Sequence, residues 1–291
     1  MADTVVKRVG GKVKLRDWIK SLFPAHTLYC EPFGGSFAVG FVLPKPDGEY
    51  RLVYNDLDSH VWNLFRVLRD YKDVFLEKLE LTLYSREEFE KAVEYIELER
   101  DFSKEDPVEW ARNYLIYNRQ SMFGKEDGTW CISRTGENVC LSWANLPVFV
   151  DKCAKFFKGV YIENLDYKEC IRKWDCPEAL FYLDPPYEDV EKMFYHVNMT
   201  SGFDHEDMAK YVDSIKGSVA ISYYDSPRIR EMYPESKGYA FYKKRVVKHM
   251  QTSDKKKSSA VEVLVVKKSS YAAAKEKQQM CFGDNDGISQ S

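Results

Sequence analysis

The residues of this chain best suited to chemistry lie in a few short polar segments. Asp184-Pro185-Pro186-Tyr187 directly follows the apolar run Ala179 to Leu183. A carboxylate, two prolines and an aromatic ring thus stand at a strand's C-terminal end, where open α/β sheets place their ligands. A planar amine on a heteroaromatic ring is a weak nucleophile, because its lone pair is delocalised into the ring. Asp184 and the Pro185 carbonyl can accept its hydrogens and favour lone-pair character on nitrogen, while the prolines fix the backbone and Tyr187 offers a face for stacking. The alternative is a proline turn with Asp184 solvated.

A second segment, Glu31-Pro32-Phe33-Gly34-Gly35-Ser36, follows the apolar Thr27 to Cys30. Glycines at such a turn let a cofactor approach the backbone, and the carboxylate is placed to meet a cation. About 20 residues on, Asn55-Asp56 ends the next apolar run, the spacing at which an acid in such folds binds ribose hydroxyls. Asp56 or Asp58 is equally placed to cap a helix over Val61 to Arg69.

The elements that must hold these residues are legible in the patterning. Leu28 to Asp58 reads as strand, glycine turn, helix and strand, the opening of a βαβ unit. Gly159 to Ile162, Ala179 to Leu183, Ser218 to Ser222 and Ala260 to Val266 are continuous apolar strands, which suit a buried, mainly parallel sheet. The last pairs as an antiparallel edge hairpin with the segment around Tyr239 to Val247. Between them, Phe89, Ala92, Val93 and Ile96 recur at helical spacing among acids, and Trp110 to Asn118 continues as helix into an aperiodic aromatic stretch. We therefore expect an α/β, Rossmann-like sheet, mostly parallel with an antiparallel edge strand, cofactor-binding over 1–68 and resumed over 156–268, interrupted by a mainly helical insertion over 69–155. Residues 269–291 are expected to form a frayed tail.

With 31% charged and 44% apolar residues, the chain is not disordered, collagenous or a coiled coil. The first residues lack the apolar core of a secretory signal, so we expect no leader, and no apolar run approaches the ~18 residues of a membrane span. Its seven cysteines include no Cys-x-x-Cys pair, so we expect reduced thiols, a cytoplasmic setting and no metal.

Taken together, Lys7-Arg8-Val9-Gly10-Gly11-Lys12, the Glu31 to Ser36 turn, Asn55-Asp56, Asn164-Leu165-Asp166-Tyr167 and Asp184-Pro185-Pro186-Tyr187 resemble, in kind and order, the Dam-like DNA adenine-N6 methyltransferases. Tyr117-Asn118-Arg119-Gln120-Ser121 followed by Gly128-Thr129-Trp130 is most similar to the phage-type branch. The resemblance implies a seven-stranded sheet binding S-adenosyl-L-methionine, a double-stranded DNA substrate whose target adenine is flipped out of the stack, and a monomeric enzyme. It places Arg8, Lys12, Phe33, Gly34 and Gly35 at the cofactor, Asp56 on its ribose, Asp166 and Tyr167 at its adenine, and Asp184, Pro185 and Tyr187 at the reacting amine. The sequence departs from the family where an aromatic is common at position 8 and a glycine at position 37. The insertion also lacks the Arg-Tyr-Asn…Gly-x-Phe-Asn-Val-Pro hairpin of GATC-specific members. Methylation of RNA adenine or of a protein glutamine, and a non-catalytic DNA-binding relic, are the alternatives. Asp184 disfavours the first two, whose motif usually begins with Asn; intact Lys12, Asp56 and Asp184 disfavour the relic.

The net charge of −3 is a cancellation. Residues 243–257 carry +6 and residues 5–20 carry +5, against −6 over residues 85–109. Lys243, Lys244, Arg245, Lys255 and Lys256 are expected to meet phosphates, although lysines there also guard a sheet edge. Arg119 and Gln120 are expected to read bases, while Tyr114, Tyr117 and Trp130 serve equally well as the insertion's own core.

Overall fold

The computed structural model describes residues 4–8, 10–98, 101–124, 129–186, 203–247 and 259–283. Seven strands form one sheet: β1 Leu28–Glu31, β2 Arg51–Asn55, β3 Val160–Glu163, β4 Ala179–Leu183, β5 Ser218–Tyr224, β6 Tyr239–Val247 and β7 Ser259–Lys267. Their order is β3-β2-β1-β4-β5-β7-β6. The first five run parallel, and β7 lies antiparallel to both β5 and β6. The expected edge hairpin is therefore present, with β7 wedged between β5 and β6.

Side-chain alternation sorts each strand between two apolar layers, which is why the central strands read as unbroken apolar runs. Tyr29, Tyr54, Leu180, Tyr182, Leu264 and Val266 face one layer. Cys30, Val53, Phe181, Leu183, Val263 and Val265 face the other. The first layer is covered by α1 Arg16–Ser21, α2 Ser59–Asp70, α3 Lys72–Glu80, α4 Arg86–Glu97, α5 Pro107–Gln120 and α7 Leu146–Phe157; α6 is Val139–Ala144. The helices of the inserted segment thus share a core with the sheet: Phe157 of α7 packs on Tyr54 of β2 and Phe65 of α2. The second layer is covered by α8 Tyr167–Trp174, α9 His205–Val212 and α10 Pro227–Met232.

Helix starts follow the caps written in the sequence. Asp58, Ser85, Asp106, Asp166, Asp204 and Ser226 each accept a first-turn amide of α2, α4, α5, α8, α9 and α10 respectively. Pro107 and Pro227 occupy first positions where no amide is needed.

Two expectations are corrected. No α-helix follows the glycine turn; the β1–β2 connection holds only a 3-10 turn, Gly40–Val42. Phe37 there takes φ +54, a left-handed conformation that interrupts a helix before it can nucleate, and Pro44 and Pro46 close the far side. The expected frayed tail begins instead as helix α11, Ser270–Gly283. Its start is tied down because Ser269 donates to the Pro177 carbonyl at 2.7 Å and receives Ala272 N–H, while Ala272 is buried.

Candidate active site

The strand order reverses between β1 and β4, and the loops leaving their C-terminal ends flank a crevice, the position at which open α/β sheets bind ligands. The glycine turn lines one side. Gly34 N–H donates to the Asn55 carbonyl at 2.7 Å. A Cβ on Gly34 would stand 2.4 Å from the Tyr54 ring, so the turn lies flat on the end of β2 only because that residue has no side chain. Gly35 adopts φ +47 and donates its N–H to Asp56 Oδ2 at 2.7 Å, and the space above its Cα is open.

Asn55, fully buried, ties three loops together. Its amide donates to the Pro32 and Leu165 carbonyls at 2.8 and 3.0 Å, and its Oδ1 accepts Leu165 N–H at 2.9 Å. The choice left open for the helix cap is resolved: Asp58 caps α2, leaving Asp56 at the crevice. Burial and the adjacent Asp58 push the Asp56 carboxyl up to about 6, against the pull of Arg8 and two backbone amides. Arg8 reaches Asp58 Oδ2 at 2.6 Å, so it meets Asp56 through the field of this pair.

On the far side of the turn, the Phe33 and Tyr167 rings stack with centroids 5.2 Å apart, and Phe203 packs 5.5 Å from each. Asp166 is exposed and spends Oδ1 on Lys168 N–H as the cap of α8.

Lys12 lies at the heart of the site, 5% exposed. Its Nζ is 2.9 Å from Asp184 Oδ1 and 3.4 Å from Glu262 Oε1, and donates to the Gly10 carbonyl at 3.1 Å. Burial alone would lower the ammonium pKa, but Asp184 and Glu262 outweigh it and hold it above the ordinary lysine value. Pro185 and Pro186 are buried beneath Asp184; Tyr187 lies outside the described residues. Glu31, expected to meet a cation, instead accepts Tyr29 O–H at 2.6 Å and Gly40 N–H at 2.7 Å. Desolvation pushes its carboxyl up to about 8 despite those bonds, with Asp184 adding to the rise, so at neutral pH Glu31 is largely an uncharged brace of the turn.

The expected base contacts of Arg119 and Gln120 are corrected. Gln120 is fully buried, its amide donating to the Leu83 carbonyl at 3.2 Å and accepting Trp130 Nε1–H at 3.4 Å. Arg119 Nη2 donates to the Thr4 carbonyl at 2.7 Å, and burial lowers its guanidinium to about 10. Tyr114 and Tyr117 are buried core residues. The end of α5 is instead a clamp on the N-terminal segment. Asn118 accepts Lys7 N–H at 2.8 Å and donates to Lys7 O at 2.9 Å, while Lys7 Nζ donates to the Arg119 carbonyl at 3.0 Å. Five residues after Lys7 comes Lys12, so the insertion fixes the segment that carries it.

Sequence reasoning missed Asn118 as a clamp, which no local pattern marks, and Glu262, which does have a signal: it is a lone carboxylate within the apolar strand Ala260 to Val266. Among the basic residues, Lys243, Lys244 and Arg245 are exposed on β6. Lys243 pairs with Asp225 at 2.7 Å and the Lys244 ammonium lies over the Trp18 ring at 5.5 Å. Lys255 and Lys256 lie outside the described residues.

The chain is similar to several known proteins. A DNA adenine methylase of Serratia marcescens is 25% identical over 83% of this chain and 91% of its own. One of Salmonella typhi is 25% identical over 80% of this chain and 84% of its own. A solved structure of a precorrin-6y C5,15-methyltransferase from Geobacter metallireducens GS-15 aligns at TM-score 0.38 and 11% identity over 88% of each chain. The family model described as D12 class N6 adenine-specific DNA methyltransferase matches residues 9–252, most of the chain including every strand that builds the crevice, and the protein belongs to that family.

Proposed function

We propose that this adenine-specific DNA methyltransferase uses S-adenosyl-L-methionine and acts on an adenine flipped out of duplex DNA, with Asp184 and the Pro185 carbonyl polarising the N6 amine. The observation that carries this reading is the placement of Asp184: at the C-terminal end of a central strand, on the crevice, with Oδ1 held by buried Lys12. One carboxylate oxygen is thereby fixed by the protein while the other remains for a substrate hydrogen.

The residues present suit this cofactor. The open space over Gly35 admits a chain laid against the backbone, as the methionine portion requires. Asp56 offers an acceptor for hydroxyl donors. The Phe33, Tyr167 and Phe203 rings supply an apolar face for a purine. A third ring between Phe33 and Tyr167 would need them roughly 7 Å apart, twice a ~3.5 Å contact, so at their 5.2 Å spacing the purine packs against an outer face of the pair. When bound, the cofactor supplies an electrophilic methyl carbon on a cationic sulfur.

The rest falls to the chain. Inside a duplex, N6 is stacked and paired, so its lone pair cannot be aligned with an electrophile; extrusion exposes it. Asp184 and Pro185 accept its hydrogens and turn the lone pair toward the crevice. As nitrogen commits that pair to the methyl carbon, whose bond to sulfur would break with its electron pair leaving on sulfur, nitrogen becomes cationic, and the carboxylate stabilises the developing charge until the proton passes to solvent. No base with a matched pKa is needed beforehand. Exposed Lys243, Lys244 and Arg245 track phosphates.

The test is to express the protein in a methylation-deficient host and map modified bases in its plasmid. N6-methyladenine at one short motif is expected, absent in Asp184→Ala, which still binds S-adenosyl-L-methionine. Unmodified plasmid despite folded protein would refute the DNA reading, and methylation by Asp184→Ala would refute the polarising role.

A further inference from the structure

The N-terminal segment is held by the insertion and in turn reaches the acids beside the glycine turn. Asn118, fully buried near the end of α5, meets both backbone groups of Lys7. Its Oδ1 accepts the Lys7 N–H at 2.8 Å and its amide donates to the Lys7 carbonyl at 2.9 Å, the paired bonds that a neighbouring strand would make. The Thr4 carbonyl accepts Arg119 Nη2 at 2.7 Å, and Val5 and Val6 are fully buried. Gly124 backs onto Lys7 so closely that a Cβ there would stand 2.6 Å from Lys7 Cβ. Arg8 is the next residue. Its Nη2 lies 2.6 Å from Asp58 Oδ2, Asp58 N–H donates to Asp56 Oδ1 at 2.8 Å, and Asp56 Oδ2 accepts Gly35 N–H at 2.7 Å. Contacts thus run unbroken from α5 through Lys7 and Arg8 to the acid and the glycine at the crevice.

We infer that Asn118 is a positioning residue for cofactor binding: by clasping the Lys7 backbone it sets where Arg8 meets Asp58, and so how Asp56 is presented at the crevice. An arginine side chain has a long stem with many rotamers, so a well-aligned guanidinium–carboxylate contact depends on how firmly its backbone is held. On the other side of Arg8 the chain turns through Gly10, at φ +80, and Gly11, whose N–H bonds the Arg8 carbonyl at 3.1 Å. Glycines restrain a chain least, which gives the Lys7 side the larger share of the backbone's anchoring. Asn118 itself touches neither substrate nor cofactor in this scheme. A residue of the insertion would thereby tune the cofactor end of the site.

The inference rests on the reading of Asp56 as a cofactor acid, and the test separates the two. Binding of S-adenosyl-L-methionine to the full chain is measured by calorimetry for the wild type, Asn118→Ala, Arg8→Gln and the double variant, well below every melting temperature. Each single change is expected to weaken affinity about 3–10-fold, and the double variant to match the weaker single within about 2-fold, because changes along one chain of contacts do not add. Gly124→Ala disturbs Lys7 through a different contact and takes the place of Asn118→Ala in the cycle should that variant not fold. Phe75→Leu, a core truncation in α3 of the insertion, is expected to lower the melting temperature and leave affinity unchanged. A double variant whose loss is the product of the two single losses would overturn the inference, as would wild-type affinity in either single variant. Weakening by Phe75→Leu as large as that by Asn118→Ala would also overturn it, in favour of general stability. Those three outcomes leave the cofactor reading intact, whereas a folded wild type that does not bind S-adenosyl-L-methionine would refute that reading and this inference with it.

Discussion

Phe37 offers a prediction whose sign is unusual. The residue follows the cofactor turn with φ +54, a conformation that costs a non-glycine residue ~1–2 kcal/mol. Its ring is fully buried against Tyr54, Phe41 and Phe157 at centroid distances of 5.4, 5.7 and 5.5 Å. Gly40 makes room for it: a Cβ there would lie 2.2 Å from the ring. Removing a buried phenylalanine ring costs ~3–5 kcal/mol, so burial outweighs strain and explains how Phe stands where the family often has glycine. In Phe37→Ala the ring is lost and the strain stays, giving about 3–5 kcal/mol of destabilisation. In Phe37→Gly the strain is relieved, so the loss falls to about 2–4 kcal/mol. Glycine is normally the less stable choice by ~0.5–1 kcal/mol within regular structure; here the order inverts. In urea denaturation the Gly variant should unfold about 0.3–0.5 M later than the Ala variant, for a slope of ~2–3 kcal/mol/M. Equal midpoints, or Ala the more stable, would refute the assignment of strain to this residue.

Other consequences follow from the same site. Because the folded pKa of Glu31 is raised to about 8, the stability it withholds is absent below the unfolded value near 4.5 and grows as pH rises toward 8. Glu31→Gln, which can still accept from Tyr29 and Gly40, should therefore gain in melting temperature over the wild type as pH goes from 5.5 to 8.5; a pH-independent difference would show that Glu31 ionises normally. Asp56 titrates near 6 with Arg8 holding it down, so cofactor affinity should fall as pH drops through about 6, and Arg8→Gln should move that midpoint upward; an unshifted binding–pH curve would disprove the coupling. Asn118→Ala removes both bonds to the Lys7 backbone, which should cost about 1–3 kcal/mol and speed proteolytic cleavage near Lys7 ahead of the rest of the chain. Unchanged cleavage there would argue against the clamp.

The two halves of the site differ in how much of them sequence alone reveals. Asp184 after an apolar strand, the glycines after β1 and Asp56 after β2 are local features. Each depends on neighbouring residues, strand alternation and backbone preference, so order along the chain is enough to place them at strand ends. The net charge of −3, resolved into basic and acidic stretches, likewise required only counting. The missing helix after the glycine turn was decided by tertiary contact: Phe37 is drawn into a left-handed conformation by a pocket that Tyr54, Phe157 and Gly40 build from distant segments. Arg119 and Gln120 illustrate the same limit. Exposed, they would read bases; at the end of α5, with Gln120 buried and Arg119 half-buried, they bind Thr4, Leu83 and Trp130. A polar side chain's chemistry is set by which partners share its low-dielectric surroundings, and those partners are far away in sequence. The union of Lys12, Asp184 and Glu262 is the clearest case: three charges from the N-terminal segment, the end of β4 and the middle of β7 become one unit only when the sheet aligns them.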